Sequence, residues 1–267
     1  MRLGITMESF YGRVSTELAF DHLRSMLVDT TEVYLSTFSE YEKPFIDALI
    51  QRKGNINVHS VHPQGTQFEP ELFSTNLRAR ADAENIFRKV CYAGFMLGAK
   101  YYTFHGPICL KHFRYNHDYV KLGDRMNQLV EIAQSYGLKI AYENVHWAYS
   151  AQPEYFSELL ARCPRLYTTL DIKEAAEAGI DPSKFLDAMG GRIATIHLCD
   201  MEKSGFTCLP GNGRINFEKF FIELGRRGIN VPMLLEAYAR DYGDVNELRA
   251  SYDYLNALLV KVRDVKR

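Results

Sequence analysis

Gly137-Leu138-Lys139-Ile140-Ala141-Tyr142-Glu143-Asn144-Val145 is the stretch on which the fold turns. A glycine stops a helical segment, a β-rich run follows at once, and the run ends on a carboxylate. The same hand-over recurs at Gly98-Ala99-Lys100-Tyr101. Working outward, the runs that read as strands are Leu3–Met7, Val33–Ser36, Asn57–His62, Tyr101–His105, Lys139–Val145, Tyr167–Ile172, Ile193–Cys199 and Met233–Ala237. Between them lie amphipathic segments with apolar residues three and four apart, as in Phe87, Val90, Cys91 and Gly94 before the fourth strand. Eight strands at intervals of roughly thirty residues, each followed by a helix, predict an α/β fold of the (β/α)8 TIM-barrel type. The chain shows no Pro/Ser/Gly linker or low-complexity tract, so a single domain over residues 1–267 is expected. A doubly wound open sheet is the alternative; it usually needs a Gly-rich first turn, and Gly4-Ile5-Thr6-Met7-Glu8 is not one.

Composition narrows the class. The 267 residues, 46% hydrophobic and 24% charged, are enough for a large buried core. Interspersed charges with a net of -1 provide no field to hold a polyanion, which argues against nucleic acid and, more weakly, against a membrane surface. Five cysteines without a Cys-x-x-Cys pair suggest free thiols in a reducing compartment. With no secretory signal and no apolar run of membrane-spanning length, the expected location is cytoplasmic.

In such a barrel the C-terminal ends of the strands face the active-site mouth. Those positions hold His62, His105, Glu143, Asp171, His197 and Glu236, on the third to eighth strands in order. Any one of them alone reads equally well as a structural ion pair or a hydrogen-bonded core histidine. Together, Glu143, Asp171 and Glu236 pose a problem of charge, because three neighbouring carboxylates repel and would be forced to protonate. One divalent metal ion resolves it, and His197 completes a mixed N/O ligand set suited to Mn²⁺, Zn²⁺, Co²⁺ or Mg²⁺; no organic cofactor is expected.

Other features have plainer readings beside them. Alternation puts His59 out of phase with His62, which favours a packed or exposed histidine. Trp147, with Phe10, Tyr11 and Phe206, could stack on the apolar face of a sugar or only pack loops together. Pro210-Gly211-Asn212-Gly213-Arg214 could cradle a phosphate, although a structural turn is the better reading. Cys199, without a nearby base, reads as a small filler.

The motifs Ala141-Tyr142-Glu143-Asn144, Thr169-Leu170-Asp171-Ile172, Ile196-His197-Leu198-Cys199-Asp200, Pro210-Gly211-Asn212-Gly213 and Leu235-Glu236 resemble the xylose isomerase-like superfamily. Within it the chain is most similar to the sugar phosphate isomerase/epimerase group, which includes the D-tagatose 3-epimerase and D-psicose epimerase enzymes. The resemblance implies that Glu143, Asp171, His197 and Glu236 bind the metal and that Glu143 and Glu236 are also the catalytic acid/base pair. His62 and His105 lie at positions that resemble zinc ligands of the apurinic-site endonuclease branch, whereas in the sugar branch such residues contact substrate hydroxyls; substrate contact is the expectation, with a second metal the alternative. Glu174 stands where the group often has a substrate-binding His, and Lys203 where it has an Arg, so both become candidate contacts to a small carbohydrate. The function implied is a metal-dependent isomerase or epimerase that abstracts a proton next to a carbonyl through a stabilised enediolate. An inosose dehydratase-like lyase is the alternative. An apurinic-site endonuclease is remote, because no histidine follows His197 to supply that branch's further Asp-x-His. A homo-oligomer is compatible with all of this.

Overall fold

The computed structural model describes residues 1–109 and 117–264. Eight parallel strands close into a barrel: β1 (Arg2–Thr6), β2 (Thr30–Leu35), β3 (Asn57–Pro63), β4 (Tyr101–Phe104), β5 (Lys139–Glu143), β6 (Tyr167–Asp171), β7 (Ile193–Leu198) and β10 (Pro232–Leu235). Each strand pairs with its sequence neighbour around the ring, and β1 closes it against β10 with Leu3 opposite Met233 and Ile5 opposite Leu235. Two short strands not anticipated from the sequence, β8 (Asp200–Met201) and β9 (Thr207–Cys208), form an antiparallel ribbon after β7.

The helices are α1 (Thr16–Ser25), α2 (Lys43–Lys53), α3 (Leu77–Leu97), α4 (Tyr119–Ser135), α5 (Pro153–Arg162), α6 (Ile172–Glu177), α7 (Pro182–Met189), α8 (Phe217–Arg226) and α9 (Val245–Asp264). The third shows why the sequence takes this form. Asn76 caps its start, its side-chain oxygen accepting from the backbone N–H of Arg78 at 3.0 Å. Its apolar stripe, Phe87, Val90, Cys91 and Gly94, is buried. A side chain at Gly94 would come within 2.8 Å of Leu138 and 3.0 Å of Val61, so the helix approaches the barrel closely only because glycine stands there. Gly98 ends the helix with φ 78°, the left-handed stop read from the sequence.

One departure from simple alternation matters for the site. Between Thr31 and Glu32 the register against β3 shifts, pairing Thr31 with Val58 and Glu32 with Ser60, so His59 is an extra residue. A bulge of this kind breaks the period of two. His59 thereby turns into the barrel, buried, with Nε2 3.0 Å from Thr195 Oγ1 and 3.3 Å from Ala194 O. Burial holds it down at about 4, so it is a neutral, packed histidine. The packed reading was right; the out-of-phase placement was not, because the bulge lets both His59 and His62 face inward.

The glycine-rich loop after β9 already holds an anion, one belonging to the chain itself. The Asp200 carboxylate accepts from the backbone N–H groups of Met201 (2.8 Å), Ile215 (2.9 Å), Gly211 and Gly213 (both 3.1 Å). A side chain at Gly213 would lie 2.3 Å from Asp200 Oδ1, which explains the glycine and supports the structural reading of the turn. Replacing Asp200 by Ala leaves four amides without their acceptor, and we expect a loss of about 3 kcal/mol. Urea unfolding should show it as a lowered midpoint at unchanged slope; wild-type stability would show the seat to be dispensable.

Candidate metal centre and substrate pocket

Glu143 closes β5, Asp171 closes β6, His197 lies one residue before the end of β7, and Glu236 follows β10 directly. Because parallel strands all end at one rim, four residues far apart in sequence converge there. One ligand atom from each lies within 4.8 Å of the others. His197 Nδ1 is 2.8 Å from Glu143 Oε1 and 3.0 Å from Glu236 Oε2. Asp171 Oδ2 and Glu236 Oε2 are buried and accept no hydrogen bond. Buried acceptors without donors, facing a common gap from three carboxylates and an imidazole, are the donor chemistry of a divalent cation, and the residues fit one.

Several contacts fix these ligands. Asn144 makes a reciprocal pair with Asp171, donating to its backbone carbonyl and accepting from its backbone N–H, both at 2.8 Å. Asp171 Oδ1 caps α6 by accepting from the Glu174 N–H at 2.9 Å, which leaves Oδ2 for the gap. On the far side of His197, Nε2 lies 3.3 Å from Glu32 Oε1. Glu32 is fully buried in β2, and its other oxygen accepts from Ser60 and Thr103. The Glu32 carboxylate thus stands behind the imidazole on its Nε2 side, while Nδ1 faces Glu143 and Glu236 at the gap.

His62 and His105 stand beside the cluster. Their Nε2 atoms are 3.0 Å apart, and His105 Nε2 is 2.9 Å from Glu143 Oε2. His62 Nδ1 lies 3.4 Å from both Glu8 and Glu32. Trp147 meets the edge of the His105 ring at 5.2 Å between centroids. All of these except Glu32 line one pocket of about 220 Å³ together with Tyr34, Asp171, Glu174, Glu236 and Tyr238. Of the other aromatics, Phe10 is core, while Tyr11 and Phe206 are exposed and are not among the lining residues.

Glu174, where the resembling group has a histidine, is held from two sides. Lys173 Nζ is 3.4 Å from Oε1, and His146 Nδ1 is 2.6 Å from Oε2. His146 also reaches Glu177 at 2.9 Å. Lys203 is exposed on the turn between β8 and β9, away from the pocket lining, so the structure does not bring it together with the rest. The residues that sequence reasoning did not single out are Glu8, Glu32, His146, Lys173 and Tyr238.

Electrostatics follow from this packing. Burial pushes Asp171 well above the usual carboxylate range, and Glu236, Glu174 and Glu143 add repulsion that Lys173 only partly offsets. Burial likewise raises Glu236 to about 7 against the pull of His197 and Lys173. Glu143 goes the other way: burial opposes its charge, but His197 and His105 outweigh it. Glu174 is lowered to about 2, since Lys173 and His146 together overcome its burial. A cation in the gap would ionise the two carboxyl groups that resist.

The fold and site thus define a (β/α)8 barrel with a candidate metal centre at the C-terminal rim. The chain belongs to the xylose isomerase-like TIM barrel family, which it matches over residues 17–258. Among solved structures it is similar to a D-tagatose 3-epimerase-like protein, at 20% identity and a TM-score of 0.80 with 100% of both chains covered. It is also similar to D-psicose 3-epimerase from Clostridium cellulolyticum H10, at 14% identity and 0.78, covering 97% of this chain and 99% of that one. A third is an IOLI protein with a bound zinc atom, at 17% identity and 0.77, covering 98% of each chain. No curated protein matches. No helix among the described residues is long and apolar enough to cross a membrane.

Asp171→Ala should lose most of the metal that elemental analysis finds in wild-type protein purified without chelators. Glu32→Gln should keep the ligands yet weaken metal affinity by about 10–100-fold. Unchanged metal content in Asp171→Ala would remove it from the ligand set.

His146 supplies a pH test. Bonds to Glu174 and Glu177 raise it from 6.5 to about 9 despite partial burial. Its contribution to stability is therefore fully present below pH 6.5 and is lost as pH rises through about 9. Proton NMR of the imidazole should show this midpoint, and Glu174→Gln should lower it.

Proposed function

We propose that the protein is a divalent-metal-dependent isomerase or epimerase acting on a small polyhydroxylated carbonyl compound, with Glu143 and Glu236 as the proton-transfer pair. The observation that carries this reading is the convergence of Glu143, Asp171, His197 and Glu236 on one gap at the floor of a small polar pocket. A C–H next to a carbonyl is too weakly acidic for a carboxylate unless the developing oxyanion is stabilised. The bound metal supplies that stabilisation as a Lewis acid.

The chain's own residues do the rest. Glu143 and Glu236 reach the gap from different strands, so one carboxylate can remove a proton from one face of the substrate and the other can return one to the opposite face. With the cation in place both would be ionised and able to act as bases: Glu143 is already held so by His197 and His105, and the cation would bring Glu236 down from about 7. His62 and His105 would hydrogen-bond substrate hydroxyl groups, a role supported by their lining the pocket with Trp147 beside them. A pocket of about 220 Å³ is small against the ~300–1,000 Å³ of drug-sized sites, which favours a substrate of monosaccharide size. Its many carboxylates favour a neutral one and disfavour a nucleic acid.

The test is proton exchange. Metal-loaded protein is given a panel of ketoses and inososes in D₂O, and deuterium on the carbon next to the carbonyl is followed by NMR. Glu143→Gln and Glu236→Gln should each keep much of the metal and lose about 10²–10⁴ in exchange rate. Exchange from one epimer should depend chiefly on one Glu, and exchange from the other epimer on the second. If both variants exchange at the wild-type rate with metal bound, the two-base assignment is wrong; loss of water from the substrate would instead identify a lyase.

A further inference from the structure

Lys173 has no part in the reading above, yet among the described residues it is the only Lys or Arg lining the pocket, and it is buried. It sits two residues beyond Asp171, on the first turn of α6, with its side chain turned back over the cluster. Nζ lies 3.1 Å from Tyr238 OH, 3.3 Å from Glu236 Oε1, 3.4 Å from Glu174 Oε1 and 3.5 Å from Asp171 Oδ2. It also lies 4.3 Å from the centroid of the Tyr238 ring. An ammonium has three N–H donors, and here four oxygens surround it. Two of these donors are hydrogen-bonded within the protein, to Tyr238 OH and Glu236 Oε1, and the Glu174 and Asp171 oxygens lie at ion-pair distance.

The two oxygens of Glu236 have different partners. Oε1 is within reach of Lys173, while Oε2 accepts no hydrogen bond and lies 3.0 Å from His197 Nδ1, on the side of the gap. We infer that Lys173 is a positioning residue for Glu236. By tying up Oε1 it makes Glu236 a one-oxygen donor to the cation and keeps the carboxylate from swinging to grip with both oxygens. Tyr238 and Glu174 in turn hold the ammonium in place. Charge supports the assignment: a divalent cation among Glu143, Asp171 and Glu236 leaves one negative charge over, and Lys173 matches it without occupying the gap. Glu174 is shared between Lys173 and His146.

The kinetic part of the test rests on the proposed proton transfer, whereas a spectroscopic part does not. The variant is Lys173→Met, of similar length and uncharged, with Tyr238→Phe as a companion that removes one contact to Nζ and keeps the ring. Each is loaded with Co²⁺, whose visible absorption weakens as coordination number rises. Lys173→Met should bind Co²⁺ with a weaker, shifted visible band as Glu236 becomes bidentate, and Tyr238→Phe should shift it less in the same direction. In the D₂O assay, exchange that depends on Glu236 should fall on the order of 10²-fold, as for loss of a positioned base. Exchange that depends on Glu143 should change far less, and KM should stay within a few-fold. A general loss of structure would lower both exchange rates alike, so their ratio is the diagnostic.

The inference is overturned if Lys173→Met keeps the wild-type cobalt spectrum and lowers both exchanges equally. Should that variant not fold, a wild-type spectrum and exchange ratio in Tyr238→Phe overturn it instead. If the wild type exchanges no proton from any substrate, the functional proposal fails, and the cobalt spectra still decide the role of Lys173.

Discussion

Repulsion among carboxylates brought into a dry barrel mouth is the constraint around which the rest of the site is arranged. Glu143, Asp171 and Glu236 are each nearly inaccessible to solvent, and burial costs an ionised carboxylate several kcal/mol unless it is compensated. Each surrounding feature answers part of that cost. His105 and His197 stabilise the charge on Glu143, Lys173 lies against Asp171 and Glu236, and His146 takes up the far side of Glu174. What remains unanswered is the pair of bare oxygens facing the gap, and this residue of unmet charge is what makes the centre a candidate cation site.

The barrel supplies the rigidity such a cluster needs. Ligands at the ends of adjacent hydrogen-bonded strands cannot drift apart without breaking the sheet, and the Asn144–Asp171 backbone pair fastens β5 to β6 at the rim itself. Glu32 does for the interior what Asn144 does for the rim. It hangs from Ser60 and Thr103 on the next two strands and presents its free oxygen to His197 and His62. One buried carboxylate therefore lies at ion-pair distance from imidazoles on two different strands.

Much of this was legible in the sequence, for a definite reason. Strands that end on Glu143 and Asp171 announce both the register and the chemistry, since a carboxylate at the end of an apolar run has few structural reasons to be there. The residues that escaped notice did so for local reasons. Glu32 lies one residue before the run read as strand, Val33–Ser36, whereas β2 begins at Thr30; it is buried with its carboxylate bonded to Ser60 and Thr103 on the next two strands. Lys173 looks like an ordinary solvent-facing lysine at a helix start, and only the tertiary position of Tyr238 and Glu236 shows otherwise. His59 was misplaced by a bulge that no pattern of alternation displays. Lys203 was carried over by position along a segment that here becomes a ribbon, and the ribbon lifts it into solvent.

The seam of the barrel has a bearing on how the molecule comes into being. Where β1 meets β10, Ser9 accepts from the Ala237 N–H and donates to Leu235 O, while Tyr242 donates from its hydroxyl to Ser9 O. Arg13 adds bonds to the carbonyls of Ala239 and Gly243, so the seam is fastened by residues more than 220 positions apart. Contacts of such long range form slowly, because the chain must surrender the entropy of its largest loop before they give anything back. Glu8 and Glu236 face His62 from the two sides of this seam, so the site is whole only when the seam is closed. During synthesis on the ribosome the first seven strands emerge without Glu236, and the nascent chain carries an incomplete, open-edged pocket until its final strand arrives. Completion of the candidate site in this architecture coincides with ring closure and cannot precede it.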